Sequence, residues 1–322
     1  MGALDAATLR AWTPTRVRAN GAEPLVEWAI VDEPFADPFF EQTLERAMQH
    51  PFNRVFAQRT PIDALEILAA LEPGLAPDGF IFHMSRCGST LVAQMLAAVS
   101  STIVLSEAQP LDALLALRSA RTCDDEQLVR WLRATVSVLA RPRLGERRLF
   151  VKFNAWHVLE LPLIARAFPG VPWIFLYREP REVLRSHARS PGAEAIAWTI
   201  DPAYFGIDRA AAPFIPQDEF GARAVAAFCD AALRHASVGR SRFVEYSELP
   251  DAVFTELFDF FGVVPPQGSL DRVRAVAERD AKNPGAAFRR DPERAAPEID
   301  RLAERWLDPL YAALRAAAGK RA

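Results

Sequence analysis

At 322 residues, half hydrophobic and a quarter charged, the chain can bury a substantial core in one large domain or one domain with an appendage. A net charge of -3 and a pI near 6.0 argue against a nucleic-acid or anionic-membrane partner, so any cationic site must be local. Cys87, Cys123 and Cys229 are too few and too scattered for a disulfide framework or a metal cluster, and they fit a reducing compartment.

The first residues, Met-Gly-Ala-Leu-Asp-Ala, have neither a basic start nor an apolar run, and Ala6 stands where a myristoylation signal wants Ser or Thr. With no run of transmembrane length, the expected location is cytoplasmic. Residues 1–77 read as a helical extension packed on a main domain of residues 78–322. Asp37-Pro38 reads as an N-cap followed by Pro at the first helical position, ahead of Phe40, Leu44 and Met48 on one face. Thr60-Pro61 repeats the device, with Asp63 at the capping-box position and Leu65, Leu68 and Leu71 behind it. Trp12, Trp28, Phe39 and Phe40 are expected in the core.

Gly79 to Met84 is an apolar run of strand length, whereas Leu91, Met95 and Val99 recur at the helical period. The period changes across Ser85-Arg86-Cys87-Gly88-Ser89-Thr90. A strand that turns this tightly into a helix leaves the first helical N–H groups unpaired at the positive end of the helix dipole, which makes an anion site. Gly88 supplies backbone freedom, Ser89 and Thr90 hydroxyls, and Arg86 a forked cation. No lysine follows Gly88 and Gly79 lies too far back, so a nucleotide-triphosphate loop of the common lysine type does not fit.

Further strands are predicted at Thr102–Glu107, Leu149–Phe153, Trp173–Tyr177 and Arg242–Tyr246. Helical patterns cover residues 111–120, 126–139, 156–168, 181–189, 219–235, 252–261 and, as one last helix, 299–314. This alternation predicts an α/β fold with a parallel sheet and a ligand at the carboxyl ends of its strands, where Arg86, Glu107 and Arg178 fall. Residues 190–217 combine four prolines with Trp198, Tyr204, Phe205 and Phe214 and read as a lid loop.

The segment Ser85 to Leu91 resembles the 5′-phosphosulfate loop of sulfotransferases, in the arginine-bearing form of the tyrosylprotein sulfotransferases. Tyr177 to Ser186 resembles their second signature, whose arginine and serine, here Arg178 and Ser186, bind the 3′-phosphate. Glu107 stands twenty-one residues after Arg86, as the catalytic glutamate does in that family. Lys152 stands twenty-six before Arg178, as does the lysine that contacts the transferring group. Val244 to Leu249 is similar to a further strand end of the same fold.

The resemblance implies a three-layer, P-loop sulfotransferase-like fold with a central parallel sheet of about five strands flanked by helices. It implies a transferase that moves a sulfuryl group from 3′-phosphoadenosine 5′-phosphosulfate to a hydroxyl or amine of a small-molecule or peptide acceptor, without a metal. The implied catalytic set is Glu107 as base with Arg86 and Lys152. The donor-binding set is Ser85, Arg86, Cys87, Gly88, Ser89, Thr90, Leu91, Arg178, Ser186, Tyr246 and Lys282. Where the family has a further arginine the chain has Ser190, with Arg189 one position early, and Lys282 stands in for a basic C-terminal loop that is absent. Other readings stay open: Glu107 as a helix cap, Lys152 snorkelling to solvent, Tyr246 on adenine or in the core, and His157 or His187 as the base. A non-catalytic nucleotide binder and a small-molecule kinase are the alternative functions.

Overall fold

The computed structural model describes residues 6–19, 23–119, 122–281 and 296–319. Five strands form one parallel sheet: β4 (Gly79–His83), β5 (Thr102–Ser106), β6 (Arg148–Lys152), β7 (Trp173–Tyr177) and β8 (Ser241–Glu245). Their spatial order is β5-β6-β4-β7-β8. All but β8 and the first residues of β5 and β6 are buried along their length, as expected for parallel strands covered on both faces. The main helices between and after them are α4 (Ser89–Ala97), α5 (Gln109–Ser119), α6 (Asp125–Leu139), α7 (Leu161–Ala167), α8 (Pro180–Arg189) and α9 (Gln217–Arg234). The predicted order of strand and helix is met element by element along this stretch.

Ahead of the sheet, β1 (Thr13–Arg18), β2 (Leu25–Ala29) and β3 (Gln58–Pro61) pair antiparallel in a second sheet, with α1 (Phe40–Gln49), α2 (Pro51–Val55) and α3 (Asp63–Leu71) beside them. The helical reading of this region missed that sheet. Its strands are only four to six residues long and carry Pro14, Arg16, Arg18, Glu27 and Arg59, so none offers an apolar run of the kind that marks the parallel strands. The capping roles also differ. Thr60 lies in β3 and its hydroxyl accepts a hydrogen bond from Trp28 Nε1 at 2.9 Å, while Phe39, not Asp37, precedes α1. Asp37 instead pairs with Arg46 at 2.6 Å.

The C-terminal half carries α10 (Phe258–Phe260), α11 (Gln267–Ala277), α12 (Pro297–Trp306) and α13 (Asp308–Gly319). One final helix was predicted where two occur. The break falls at Leu307, ahead of Asp308-Pro309, because Pro309 has no N–H to continue the ladder.

Residues 190–216 contain three short 3-10 turns and no longer element, as a loop reading requires, and Gln217 opens α9. Its aromatics separate by task. Phe205 is buried against Phe220 and Phe228, whereas Trp198 and Phe214 point to solvent, 55% and 86% exposed. No described helix is long and apolar enough to cross a membrane.

Candidate functional site

One cavity of about 1040 Å³ opens over the carboxyl ends of the five strands. Residues 85–91, Glu107, Arg178, Ser186 and Tyr246 all line it, although more than 150 residues separate the first from the last. Lys282 lies outside the described residues.

The loop after β4 is strained in a directed way. Ser85, Arg86 and Gly88 have φ of 72°, 52° and 83°, and for the two residues with side chains this left-handed backbone costs about 1–3 kcal/mol each. Gly88 is required twice over, since a Cβ there would also lie 2.8 Å from the Tyr246 ring. The Ser85 N–H donates to His83 Nδ1 at 3.1 Å, which steadies the turn. Cys87 is buried, donates its S–H to the Leu176 carbonyl, and has its thiol pushed up to about 12 by burial; it packs the loop and is no nucleophile. Behind the loop, α4 presents its first-turn amides to the cavity with Ser89 and Thr90 among them.

Arg178 follows β7 and is held on three sides. Its Nε donates to Glu182 at 2.6 Å, its Nη1 to the Arg86 carbonyl at 3.3 Å, and its guanidinium lies 4.2 Å from the Tyr246 ring centroid. Ser186, two turns along α8, lines the same cavity. Arg86 reaches the other way, donating to the Ser190 carbonyl at the start of the lid at 2.5 Å.

Glu107 stands at φ 54° immediately after β5, and its N–H donates to the Lys152 carbonyl at 2.8 Å. Its carboxylate forms an ion pair with the fully buried Lys152 ammonium, and a quarter of its own side-chain surface remains open to the cavity. Burial alone would push the Glu107 carboxyl up, but the Lys152 charge and the His83 ring outweigh it and hold it well below the usual carboxylate range. Lys152 does not itself line the cavity; the Phe39 ring lies 5.1 Å from its ammonium. Phe39, expected in the core, is thus a cavity residue, brought there by the extended backbone that leads into α1. Trp12, Trp28 and Phe40 are buried as predicted.

His83 is the member of this group that the sequence reading passed over. Its Nδ1 is taken by the Ser85 amide, so its Nε2 carries the proton, 3.0 Å from the Phe153 carbonyl and 3.6 Å from Glu107 Oε1. Burial lowers its pKa, which keeps the ring neutral. The available signal was a polar side chain closing the run Gly-Phe-Ile-Phe-His at a strand's carboxyl end. His157 and His187, the histidines considered from sequence, do not line the cavity; His157 instead meets Asp112 at 3.1 Å. Trp198 does not line it either, and Tyr204 is the lid aromatic that does.

The arrangement can grip two anionic groups, at residues 85–91 and at Arg178 with Ser186, and can accept a proton at Glu107. In three-dimensional comparison the chain matches the sulfotransferase domain of the Synechococcus olefin synthase at 19% identity and a TM-score of 0.42, covering 72% of this chain and 94% of that one. It matches a sulfotransferase from Mycobacterium avium at 14% and 0.48, covering 82% of each chain. It matches one from Alicyclobacillus acidocaldarius at 15% and 0.46, covering 76% and 97%. The chain is similar in structure to bacterial sulfotransferases. No family model matches the sequence, and no curated protein matches it.

Proposed function

We propose that this protein transfers a sulfuryl group from 3′-phosphoadenosine 5′-phosphosulfate to a hydroxyl or amine of an acceptor. The observation that carries this reading is the convergence in one cavity of two separate anion grips with a carboxylate base beside them. The donor has a matching pair of anionic groups, its 5′-phosphosulfate and its 3′-phosphate. The chain's resources fit it: the absence of a Cβ at Gly88 lets the Tyr246 ring pack against the loop, and Arg178 is already oriented by Glu182 and Tyr246.

In the transfer the acceptor oxygen or nitrogen bonds to sulfur as the bond from sulfur to the bridging phosphate oxygen breaks, and adenosine 3′,5′-bisphosphate leaves. Charge grows on that bridging oxygen, so Arg86 and the first-turn amides of α4 stabilise the leaving side, while Lys152, buried behind Glu107, acts through that carboxylate. Glu107 takes the acceptor's proton. In the free protein its pairing with Lys152 makes it a weak base. A bound anionic donor places negative charge beside Glu107, which raises its affinity for a proton. The His83 ring, its Nε2–H given to the Phe153 carbonyl, walls the carboxylate on the other side at 3.6 Å.

Thermal melting tests the donor assignment. Adenosine 3′,5′-bisphosphate is expected to raise the melting temperature without magnesium, and ATP with magnesium is expected to do so less; the reverse order supports a kinase. Transfer of radiolabel from the sulfuryl donor to cell-extract acceptors tests activity, and binding of the bisphosphate with no transfer supports a non-catalytic nucleotide binder.

A further inference from the structure

The sheet order places β5 and β6 on one side of β4, with β7 and β8 on the other. Among the described cavity-lining residues the cations are Arg86, Arg178 and Arg279, from the loop after β4, the turn after β7 and the segment after α11. None comes from α5, from the turn after β6 or from the lid. Those elements instead contribute Asp112, Glu194 and Asp201, with Trp156 and Tyr204. Asp201 is already paired with Arg209 at 2.5 Å, whereas neither Asp112 nor Glu194 has a Lys or Arg within ion-pair distance among the described residues.

Asp112, in the first turn of α5, is the most constrained of the three. Asn154 Nδ2, Trp156 Nε1 and His157 Nε2 all donate to a single oxygen, Oδ1, at 2.7, 2.8 and 3.1 Å. Its second oxygen has no protein donor among the described residues, and the side chain, 37% exposed, lines the cavity. His157 Nδ1 has no partner, so that ring meets Asp112 through Nε2–H. Burial pushes the Asp112 carboxyl up, but His157, Trp156 and Asn154 outweigh it and keep the group ionised. Three bonds to one oxygen leave the other presented at a fixed angle. Trp156, 5.4 Å from Tyr204 between ring centroids, forms the adjoining aromatic wall.

A fixed, ionised, half-satisfied carboxylate beside two aromatic rings suits a cation, through a charge-assisted hydrogen bond and ring attraction. An anionic acceptor would be repelled, and a neutral apolar one would leave the carboxylate desolvated and unpaired. Resting on the sulfuryl-transfer reading, we propose that Asp112 sets acceptor specificity and that the acceptor carries a protonated amine bound at its free oxygen. A protonated amine has no lone pair with which to attack, so the nucleophile is a separate group of the same molecule, a hydroxyl delivered to Glu107.

Calorimetry with three probes on one frame tests this: 4-(aminomethyl)phenethyl alcohol, its N-acetyl amide, and 4-(2-hydroxyethyl)benzoic acid, each with and without adenosine 3′,5′-bisphosphate. The intact protein is expected to bind the amine about tenfold or more tighter than the amide, and the acid weakest. Asp112→Asn keeps an oxygen for the three donors and is expected to bring the amine-to-amide ratio close to one, with bisphosphate affinity unchanged. A purely structural Asp112 would lower the melting temperature and leave that ratio alone. Equal binding of amine and amide by the intact protein, no binding of the amine at millimolar concentration, or an unchanged ratio in the variant overturns the proposal, and the first two need no variant to fold. Failure of the bisphosphate to bind would count against the donor reading, while the probe ratio without nucleotide still reads the acceptor side.

Discussion

Over β4, β7 and β8 the cavity is lined by arginines and helix amides together with Glu179, Glu182, Glu245 and the Tyr246 ring; over β5 and β6 and along the lid the charged lining among the described residues is carboxylate alone, beside the Trp156 and Tyr204 rings. In the proposed transfer the first set meets the donor, and its residues are tied down on several sides: the Ser85 amide by the His83 ring, Arg178 by Glu182, the Tyr246 ring and the Arg86 carbonyl. The second set meets the acceptor in the proposed reaction, and its polar atoms are tied to each other, as at Asp112. A loop so held fixes one ligand's place, while a side-chain network can be altered residue by residue to suit another.

The sharpest way to break this division is at the residue that joins the two sides. Glu107→Gln is expected to lower turnover by about 10²–10⁴-fold and leave bisphosphate affinity unchanged, read by label transfer and calorimetry. Unchanged turnover would remove Glu107 from the chemistry. The same substitution strands the buried Lys152 ammonium and is expected to cost roughly 3 kcal/mol in denaturant unfolding. Because the Glu107 carboxyl is depressed in the folded state, its stabilising contribution is complete above the ordinary carboxylate range and fades as pH falls through and below that range. The stability gap between the two proteins should therefore be widest near neutrality and narrow on acidification; a gap that widens below pH ~4 would contradict the pairing.

Next in size, Gly88→Ala must accommodate a side chain at φ 83° against the Tyr246 ring, and donor affinity is expected to fall about 10–100-fold with acceptor-probe binding intact. Loss of both would mean that the two halves are mechanically one unit. Arg178→Lys keeps the charge but loses the fork and the ring contact, for an expected drop of about tenfold in donor affinity alone. At the small end, Trp198→Ala is expected to change stability by less than about 0.5 kcal/mol and acceptor affinity not at all, since that ring faces solvent. A measurable acceptor defect would bring the lid tip into the site.

The same division explains what could be read in advance. The parallel strands announced themselves as apolar runs, and the anion loop as a change of period between Met84 and Leu91, because both signals lie within a few adjacent residues. Glu107 and Lys152 were reached through spacing in a known pattern. Asp112 gave no such signal: its role comes from Asn154, Trp156 and His157, some forty residues away, meeting it across the β5–β6 edge. His83 hid in a strand whose other residues are apolar. The antiparallel sheet of the first sixty residues escaped because its strands are short and interrupted by charge, and its helices, with Leu44, Leu65 and Leu68 buried, supplied the louder pattern.

The leading segment reaches the chemistry at two points: the Ser106 hydroxyl donates to the Pro38 carbonyl at 2.7 Å, and the neighbouring Phe39 ring roofs the Lys152 ammonium. Removing residues 1–77 would therefore admit water to the buried Lys152 ammonium beside Glu107, as well as uncovering the core that Leu9, Trp12, Leu65 and Leu68 share with the main domain. What looks like an appendage in the chain order is a piece of the reaction vessel's wall.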